Sequence, residues 1–370
     1  MKLGFGLMRL PVIDGNRENI DYSRFRVMAD RFIAAGGTYF DTAYPYHGGF
    51  SEVALRENVV KRYPRDSFTV TDKLPLWLLD GPEAPERIFE LQLERCGVDH
   101  FDYYWLHAVG DDNYAKIVDS DAYSFIRRMR DAGKIRHIGF SFHGSMPLLE
   151  KMFSTYREME YVQLQINYMD MENPSVRGRE SLELAKSYGL PVIVMEPVKG
   201  GSLAKLPPAA EKLFRDRDPS MSPASWAVRY AASFENVYMV LSGMSTPEQV
   251  EDNVSYMQDF KPLDASEYEL IDRVIESIKT TDAIPCTGCS YCVTEQECPA
   301  GIKIPELFGV YNRLGRYLIG RREAKEQYSG ITSEGGRAAD CIACGGCEDH
   351  CPQHLEIREL LRTVSAKFDR

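Results

Sequence analysis

Eight of the nine cysteines in this 370-residue chain fall into two runs in its last third. Each run places three cysteines at intervals of three residues and then a Cys-Pro pair; the sets are Cys286, Cys289, Cys292, Cys298 and Cys341, Cys344, Cys347, Cys351. Three thiolates at i, i+3 and i+6 can bind three corners of an iron–sulfur cubane. Zinc sites usually separate their Cys-x-x-Cys pairs widely, so ligand type and spacing favour two [4Fe–4S] clusters over zinc or a disulfide framework.

The two cysteine runs also share a flanking pattern, C-P-x-x-[IL]-x-I-x-E-L, which indicates one structural unit used twice. The arrangement resembles a bacterial-type ferredoxin module that holds two [4Fe–4S] clusters. In that module the fourth cysteine of a run usually ligates the other cluster, which implies that Cys351 completes the first cluster and Cys298 the second. Two features depart from the ferredoxin pattern: a gap of five residues before Cys298 and a helical insert at about 303–338.

The bulk composition is that of an ordinary globular protein, with 44% hydrophobic and 27% charged residues. A net charge of −11 argues against nucleic acid and against an anionic membrane surface as partners. The first residues lack the apolar region of a signal peptide, and no apolar run reaches the ~18 residues of a membrane span. Reduced thiolates suit a cytoplasmic protein of a low-oxygen host, an anaerobe. The ninth cysteine, Cys96, is expected to be a buried small hydrophobic residue.

Predicted strands and helices alternate over the first 275 residues. These elements position the other residues that could carry out chemistry. The predicted strands are 4–8, 39–42, 68–74, 103–107, 137–142, 161–167, 192–197 and 237–241. Eight such units predict an α/β fold, a (β/α)₈ TIM barrel over 1–262, with a mostly helical cluster domain over 280–370. An open doubly wound sheet is the alternative, but no G-x-G-x-x-G follows the first strand.

Four polar residues stand at the ends of three consecutive predicted strands: Asp41, Tyr46, Lys73 and His107. Reduction of a carbonyl by hydride needs a proton donor at the developing alkoxide, and tyrosine with a pKa of ~10 is a weak acid unless a cation lowers that pKa. Lys73 would be that cation, Asp41 would hold it, and His107 would orient the carbonyl. Taken singly, a histidine or an aspartate is more often structural. Tyr44 is the alternative proton donor, but it does not lie five residues after Asp41 as Tyr46 does, so the spacing disfavours it.

The pattern D-T-A-x-x-Y, a lysine closing strand 3 and Leu-His closing strand 4 resemble the catalytic tetrad of the aldo-keto reductases. The resemblance extends over about 1–257 and includes the segments around Gly139, Val162 and Ser242. It implies that Asp41, Tyr46, Lys73 and His107 are the catalytic residues. Trp77 and the loop 108–114 are expected to line the substrate pocket.

The same resemblance implies a set of nicotinamide contacts, namely Ser141, Gln163 or Gln165, Met195, Lys199, Gly200, Gly201, Asp252 and Asn253. Ser141 and one of the two glutamines would hold the carboxamide. Met195 stands where the family has a stacking tyrosine, and the glycine loop either approaches a pyrophosphate or is a plain turn. Gly243 and Gln249 replace the basic residues of NADP-using members, so NAD(P)(H) is expected without a preference for NADP. No flavin motif is identifiable, although a flavin is compatible with the sequence.

Three functions therefore stay open for the whole chain. In the first, the barrel reduces a small-molecule carbonyl with NAD(P)H and the clusters are accessory redox or structural centres. In the second, the clusters relay single electrons from a ferredoxin or flavoprotein partner to the barrel without nicotinamide. In the third, an electron-transfer protein retains a vestigial barrel. The complete tetrad counts against the third function and favours the first, whereas the replaced cofactor contacts at Met195, Gly243 and Gln249 favour the second.

Overall fold

Eight parallel strands form a closed barrel in a computed structural model that describes residues 1–294 and 296–369. Each strand pairs with the next in the chain, and the last pairs with the first. The strands are β1 (Leu3–Gly6), β2 (Tyr39–Asp41), β3 (Thr69–Pro75), β4 (Phe101–Val109), β5 (Ile135–Phe142), β6 (Tyr161–Gln165), β7 (Val192–Met195) and β8 (Val237–Gly243). All eight predicted strands are present, so the (β/α)₈ barrel is confirmed and the open sheet is excluded.

Large side chains fill the barrel interior, where residues of opposite strands form one buried cluster: Tyr39, Tyr103, Trp105, Ile193, Met239 and Leu241. Two glycines make room for them. A Cβ atom on Gly139 would lie 2.4 Å from the carbonyl oxygen of Tyr161 and 2.6 Å from the Trp105 ring. A Cβ on Gly4 would lie 2.7 Å from Leu241. The barrel is therefore a packed core, and its chemistry must lie at the strand ends.

Sixteen helices are described. They are α1 (Tyr22–Ala34), α2 (Phe50–Leu55), α3 (Ala84–Cys96), α4 (Tyr114–Asp119), α5 (Ala122–Asp131), α6 (Met146–Thr155), α7 (Gly178–Ser187), α8 (Pro208–Arg217), α9 (Pro223–Ala232), α10 (Pro247–Met257), α11 (Ala265–Lys279), α12 (Tyr291–Thr294), α13 (Ile304–Gly315), α14 (Arg321–Ser333), α15 (Gly346–Asp349) and α16 (Ile357–Phe368). Helices α13 and α14 lie in the insert that the sequence predicts at about 303–338.

The segment Thr246-Pro247-Glu248-Gln249 has the pattern of an N-cap, a proline at the first helical position and a capping-box glutamine, which predicts a helix start. Capping contacts are present at the starts of α1 and α10. Asp21 caps α1 by accepting a hydrogen bond from the backbone N–H of Arg24. Thr246 caps α10 by accepting from the N–H of Gln249, and the Gln249 side chain accepts in return from the N–H of Ser245 at 2.7 Å. In a regular capping box Gln249 would accept from the N–H of Thr246 itself, so this second bond is displaced by one residue.

The chain divides into two compact units that are not contiguous in sequence. The first comprises 1–197 and 227–263, which include the barrel strands. The second comprises 198–226 together with the chain from Asp264 onward. Arg370, where the predicted second domain ends, lies outside the described residues. In residues 1–294 and 296–369, no helix is long and apolar enough to cross a membrane.

The second unit has its own apolar core, formed by α13, α16 and the segments that carry the cysteines. Its buried residues include Ile284, Cys292, Ile302, Leu307, Phe308, Tyr311, Leu361 and Val364. Five of the other seven cluster cysteines are partly buried and pack against this core: Cys286, Cys298, Cys341, Cys347 and Cys351. Within the same unit Phe214 of α8 stacks on Trp226 with ring centroids 4.9 Å apart. The cysteine segments are therefore anchored by apolar packing as well as by any metal they bind.

Candidate functional site

The four predicted catalytic residues come together at the carboxyl ends of β2, β3 and β4. Asp41 and Lys73 are almost fully buried, at 2% and 1% exposure. The ammonium Nζ of Lys73 donates to Asp41 Oδ1 at 2.6 Å, to the carbonyl oxygen of Thr42 at 2.7 Å and to Tyr46 Oη at 3.3 Å. Because these three contacts use the three ammonium hydrogens, Tyr46 accepts from Lys73. The phenol hydrogen of Tyr46 is thus left to donate to another oxygen.

The structure separates Tyr46 from the competing Tyr44. The ring of Tyr44 lies under the guanidinium of Arg95, with the guanidinium carbon 4.7 Å from the ring centroid. A buried histidine holds the turn that carries Tyr46: His47 Nδ1 lies 2.6 Å from the carbonyl oxygen of Arg17, and its Nε2 accepts from the N–H of Leu10 at 3.2 Å. His47 has a left-handed backbone with φ of 54°, and its two contacts hold the turn in that conformation.

His107 lies between two aromatic rings. Its ring centroid is 5.1 Å from that of Trp77 and 6.2 Å from that of Tyr46. Burial lowers the pKa of His107 well below its ordinary value, and the charges of Lys73 and His143 lower it further. Its Nδ1 is buried without a hydrogen-bond partner among the residues described. At neutral pH the imidazole is therefore uncharged and can donate one hydrogen bond to a substrate oxygen.

The pKa of Tyr46 shifts in the direction opposite to the one that the sequence predicts. Lys73 was expected to lower it, but burial raises it well above its ordinary value, and the carboxylates of Asp41 and Glu196 raise it further. Asp41, at 2.6 Å, balances the charge of Lys73. Tyr46 therefore carries its proton at neutral pH, and the expected net lowering is wrong for the protein alone.

The structure distinguishes the two glutamines that the sequence leaves open. Ser141 and Gln163 are partners in the register of β5 and β6, and Ser141 Oγ accepts from the N–H of Ala108 at 2.7 Å. Gln163 is buried, and in the described part of the chain its Oε1 has no hydrogen-bond partner. Gln165 instead donates from Nε2 to Asp170 Oδ2 at 2.8 Å. An unpaired buried acceptor is costly, so Gln163 fits an absent carboxamide better than Gln165 does.

Two further predicted contacts of the cofactor lie at the end of β7 and in α10. Met195 is the last residue of β7 and is half-buried. Asn253 follows Asp252 in α10, donates from Nδ2 to the carbonyl oxygen of Gln249 at 2.8 Å, and has a buried Oδ1 that meets no donor in 1–294 or 296–369. These residues fit a bound nicotinamide dinucleotide.

The glycine loop has a packing role. Lys199, Gly200 and Gly201 form a short 3₁₀ turn, and Gly200 and Gly201 have left-handed φ angles of 63° and 90°. A Cβ atom on Gly200 would lie 2.1 Å from the carbonyl oxygen of Thr287, whereas one on Gly201 would meet nothing within 4 Å. Both segments belong to the second unit. The close approach to Thr287 favours the plain-turn interpretation of Gly200 over an open anion cradle.

Sequence reasoning missed an ion pair near Tyr46. Arg9 Nη2 lies 3.5 Å from Glu196 Oε1, and the two charges act on the pKa of Tyr46 in opposite directions. Glu196 directly follows Met195 and has a left-handed φ of 55°. A carboxylate immediately after a barrel strand was the signal that could have identified it.

The second unit brings the cysteines into two groups. Cys298 of the first run lines a small cleft together with Cys341, Cys344 and Cys347 of the second run, and Cys292 borders the same cleft. Burial raises the pKa of Cys292, and the next causes, in decreasing order, are the neighbouring thiols Cys289, Cys286, Cys351 and Cys347. The fourth cysteine of each run therefore lies near the other run.

The cysteine groups fit iron–sulfur clusters chemically. The N–H of Gly288 donates to Cys286 Sγ at 3.4 Å. Burial raises the pKa of Cys351, while the backbone N–H groups of Leu355, Gln353 and His354 oppose that rise. N–H donors directed at sulfur stabilise a thiolate ligand and tune a cluster. Burial, Glu348 and two neighbouring cysteines raise the pKa of Cys347 to about 11, so metal binding there would release a proton.

A closed parallel barrel with a buried Asp–Lys pair, a tyrosine and a histidine at its strand ends defines an oxidoreductase of the TIM-barrel class. The aldo/keto reductase family model matches residues 2–276, and a 4Fe–4S dicluster model matches 285–355. The chain belongs to the aldo/keto reductase family and carries a C-terminal iron–sulfur domain.

Relatives of this chain are distant. It is 26% identical over 264 residues to an uncharacterized oxidoreductase of Schizosaccharomyces pombe, which covers 68% of this chain and 80% of the relative. It is 24% identical over 268 residues to L-galactose dehydrogenase of Arabidopsis thaliana, covering 66% and 82%.

Solved structures show the same barrel. The holo form of an aldo-keto reductase from Bacillus halodurans aligns with a TM-score of 0.58 and 23% identity, over 74% of this chain and 91% of that one. An aldo/keto reductase from Klebsiella pneumoniae in complex with NADP and acetate aligns with a TM-score of 0.58 and 19% identity, over 74% and 91%. At this identity the likeness shows the fold.

Proposed function

We propose that the barrel reduces the carbonyl group of a small organic substrate by hydride transfer from a nicotinamide cofactor. The observation that carries this proposal is the contact set of Lys73, whose ammonium binds Asp41 and donates to Tyr46 Oη. That geometry leaves the phenol hydrogen of Tyr46 as the proton available at the strand ends.

The residues have separate tasks in this reaction. Tyr46 donates its proton from Oη to the carbonyl oxygen as negative charge develops there. Lys73 stabilises the resulting phenolate, and Asp41 keeps the ammonium in place. Neutral His107 donates a hydrogen bond to the same oxygen and orients it. The ring of Trp77 packs beside His107 and limits water on that side.

The cofactor would be held by residues at the ends of β5, β6 and β7 and in α10. Ser141 and Gln163 are the candidates for the carboxamide, and Asn253 and Asp252 for the adenine end. When bound, the nicotinamide supplies the hydride. The L-galactose dehydrogenase of Arabidopsis thaliana and the NADP complex from Klebsiella pneumoniae support dehydrogenase chemistry with such a cofactor.

The eight clustered cysteines would hold two [4Fe–4S] clusters with exchanged fourth ligands. Cys286, Cys289, Cys292 and Cys351 would bind one cluster, and Cys341, Cys344, Cys347 and Cys298 the other. The shared cleft of Cys298 with the second run and the influence of Cys351 on Cys292 support this assignment. The clusters would serve as accessory redox or structural centres.

A second candidate function is a relay in which reduced clusters supply the electrons. One contact favours it: the turn that leaves β7 places Gly200 against Thr287, which lies between the ligand candidates Cys286 and Cys289. The loop of the first cluster and the chain that follows an active-site strand are thus packed together within the second unit. A ferredoxin or flavoprotein would be the partner of this relay.

Anaerobic titration of the reconstituted protein tests the two candidates. We expect NADH or NADPH to bind and to reduce simple aldehydes or ketones without another donor. If neither nicotinamide binds at millimolar concentration, and a reduced low-potential dye supports turnover instead, the relay replaces the nicotinamide-dependent reaction. Absence of carbonyl reduction with either donor would contradict both.

A further inference from the structure

A pair of buried carboxyl groups lies directly behind Lys73, on the outer face of β3. Successive side chains of a strand point to opposite faces, so Lys73 points into the barrel while Asp72 points toward α2 and α3. There Asp72 meets Glu52 of α2 and Cys96 of α3, and one ligand atom of each of these three residues lies within 4.8 Å of the others. All three side chains are fully buried. The reaction described above uses none of them.

One amide group occupies the space between the two carboxyl groups. Gln92 Nε2 lies 3.2 Å from Glu52 Oε1, 2.8 Å from Asp72 Oδ1 and 3.0 Å from the carbonyl oxygen of Lys73. The hydroxyl of Tyr104 donates to Gln92 Oε1 at 2.5 Å and so fixes which end of the amide faces the carboxyl groups. A metal cation would have to displace this amide, so the cluster is not a metal site.

The charges around the pair do not balance if both carboxyl groups are ionised. Arg95 Nη1 lies 3.2 Å from Glu52 Oε2, but the ammonium of Lys73 is committed to Asp41 on the other face of the strand. Among the described residues, Arg95 is thus the one cation in hydrogen-bond contact with two buried carboxyl groups that share a donor, and the charge of Lys73 acts on Asp72 without such a contact. Two carboxylates this close cannot both ionise cheaply, and one retained proton removes the imbalance.

The electrostatics of the individual groups agree with one retained proton. Burial raises the pKa of Asp72 to about 7, and burial together with the charge of Asp72 raises the pKa of Glu52 well above its ordinary value. Cys96 is likewise held as a thiol by burial and the two acids, with Arg56 opposing, and it donates to Asp72 Oδ2 at 3.5 Å. Asp72 accepts from the N–H of Lys73, from Gln92 and from Cys96, so the charge resides on Asp72 above about pH 7 and Glu52 holds the retained proton.

The pair is connected to Lys73 through the main chain. Asp72 Oδ1 accepts from the backbone N–H of Lys73 at 2.8 Å, and Gln92 donates to its carbonyl oxygen. Both main-chain polar groups of Lys73 are thus held by the acid pair and the amide between its members. A charged acceptor binds an N–H more strongly than a neutral one, so the charge on Asp72 affects how firmly Lys73 is placed.

We propose that Glu52 and Asp72 share one proton and act as positioning residues, with the charge retained on Asp72 fixing the backbone of Lys73 so that its ammonium reaches Tyr46. The role in turnover rests on the proposed carbonyl reduction. The shared proton and the fixed backbone do not, because both can be observed without a substrate.

The first experiment measures the proton and the backbone in the full-length protein with its clusters. At neutral pH the infrared spectrum should contain the carbonyl stretch of a buried protonated carboxyl group, and Glu52→Gln should remove it. Asp72→Asn keeps an acceptor for the N–H of Lys73 but removes the charge, so deuterium exchange in the 69–75 segment should become about tenfold faster. Cys96→Ser retains both acids and should change neither signal. A wild-type spectrum without the band, or unchanged exchange in Asp72→Asn, overturns the proposal.

The second experiment measures turnover against pH. Asp72→Asn should lower kcat about tenfold, leave KM within about twofold, and remove an ionisation near pH 7 from the wild-type profile. Adding Glu52→Gln to Asp72→Asn should cause little further loss, since the pair acts as a unit. Wild-type kcat and an unchanged profile in Asp72→Asn would refute the positioning role. If the wild-type protein reduces no carbonyl, the proposed function fails, and the infrared and exchange measurements still decide the pair.

Discussion

Gln163 and Gln165 lie two residues apart on the same face of β6, but their side-chain amides differ in hydrogen bonding. Gln165 donates to Asp170 at 2.8 Å, whereas Gln163 Oε1 is a buried acceptor without a partner in the described structure. A buried polar atom of this kind usually has a ligand or water in the working protein. The difference identifies Gln163 as the candidate for the carboxamide and leads to the first prediction.

Replacing Gln163 by alanine should weaken nicotinamide binding about tenfold, the scale of one buried hydrogen bond. Gln165→Ala is the matched control on the same strand face: it removes one of the donors to the buried Asp170, which also accepts from Asn167 at 2.8 Å, so it should lower the melting temperature more than it raises Kd. Fluorescence titration under anaerobic conditions measures Kd. Equal losses of affinity in the two variants would contradict the assignment.

Tyr46→Phe should lower kcat by roughly 10²-fold or more, because it removes the positioned proton donor. Its effect on KM should be small, since the phenol acts mainly in the transition state. Tyr44→Phe should be much milder, because the Tyr44 ring packs under Arg95, whereas Lys73 donates to Tyr46. Steady-state kinetics of the two variants compare these expectations. If both lose activity to the same extent, the wrong tyrosine has been assigned.

The exchanged cluster ligands predict which iron is lost in cysteine variants. The reconstituted protein should contain about eight irons per chain, as two cubanes require. Cys351→Ala should impair the cluster of Cys286, Cys289 and Cys292, and Cys298→Ala the other. Cys96→Ala should leave the iron content unchanged, because Cys96 lies in the barrel unit. Iron analysis and electron paramagnetic resonance would show which cluster each variant loses. Loss of the second cluster alone in Cys351→Ala argues against the exchange.

Gly200→Ala should disturb the first cluster, because its Cβ would lie 2.1 Å from the carbonyl oxygen of Thr287. Gly201→Ala is a close control: it also has a left-handed φ, but its Cβ would enter open space. Both variants pay a similar backbone cost, so the difference between them reports the contact with Thr287. We expect a broadened or shifted signal from the cluster of Cys286 in Gly200→Ala. Identical spectra for the two variants would show that the contact is unimportant.

The neutral state of His107 predicts a pH dependence of stability. Its folded-state pKa lies well below the unfolded value of 6.5, so below about pH 6.5 the unfolded chain binds a proton that the folded chain does not. The free energy of unfolding should therefore fall as pH falls through this range, and His107→Gln should reduce that slope. Denaturant unfolding at several pH values measures it. A slope that is identical in the variant would mean that another group dominates.

Much of the fold could be predicted from local pattern. Strand and helix periodicity and the cap at Thr246 are properties of neighbouring residues, and both appear in the structure. The four residue types of the tetrad could also be identified, because each lies in or shortly after the C-terminal part of a strand that periodicity locates. The segment 198–226, by contrast, groups with the C-terminal unit, and nothing in its composition indicates this.

The sequence by itself determined the chemical groups of this protein: eight thiolates in cluster spacing, and an aspartate, tyrosine, lysine and histidine placed for the ends of adjacent strands. The tertiary structure decided how those groups are paired and charged. It left the pKa of Tyr46 raised instead of lowered, separated Gln163 from Gln165, and placed Glu52 behind Lys73. The physical reason is that burial and charge–charge distances depend on elements far apart in the chain, and periodicity and spacing carry no information about them.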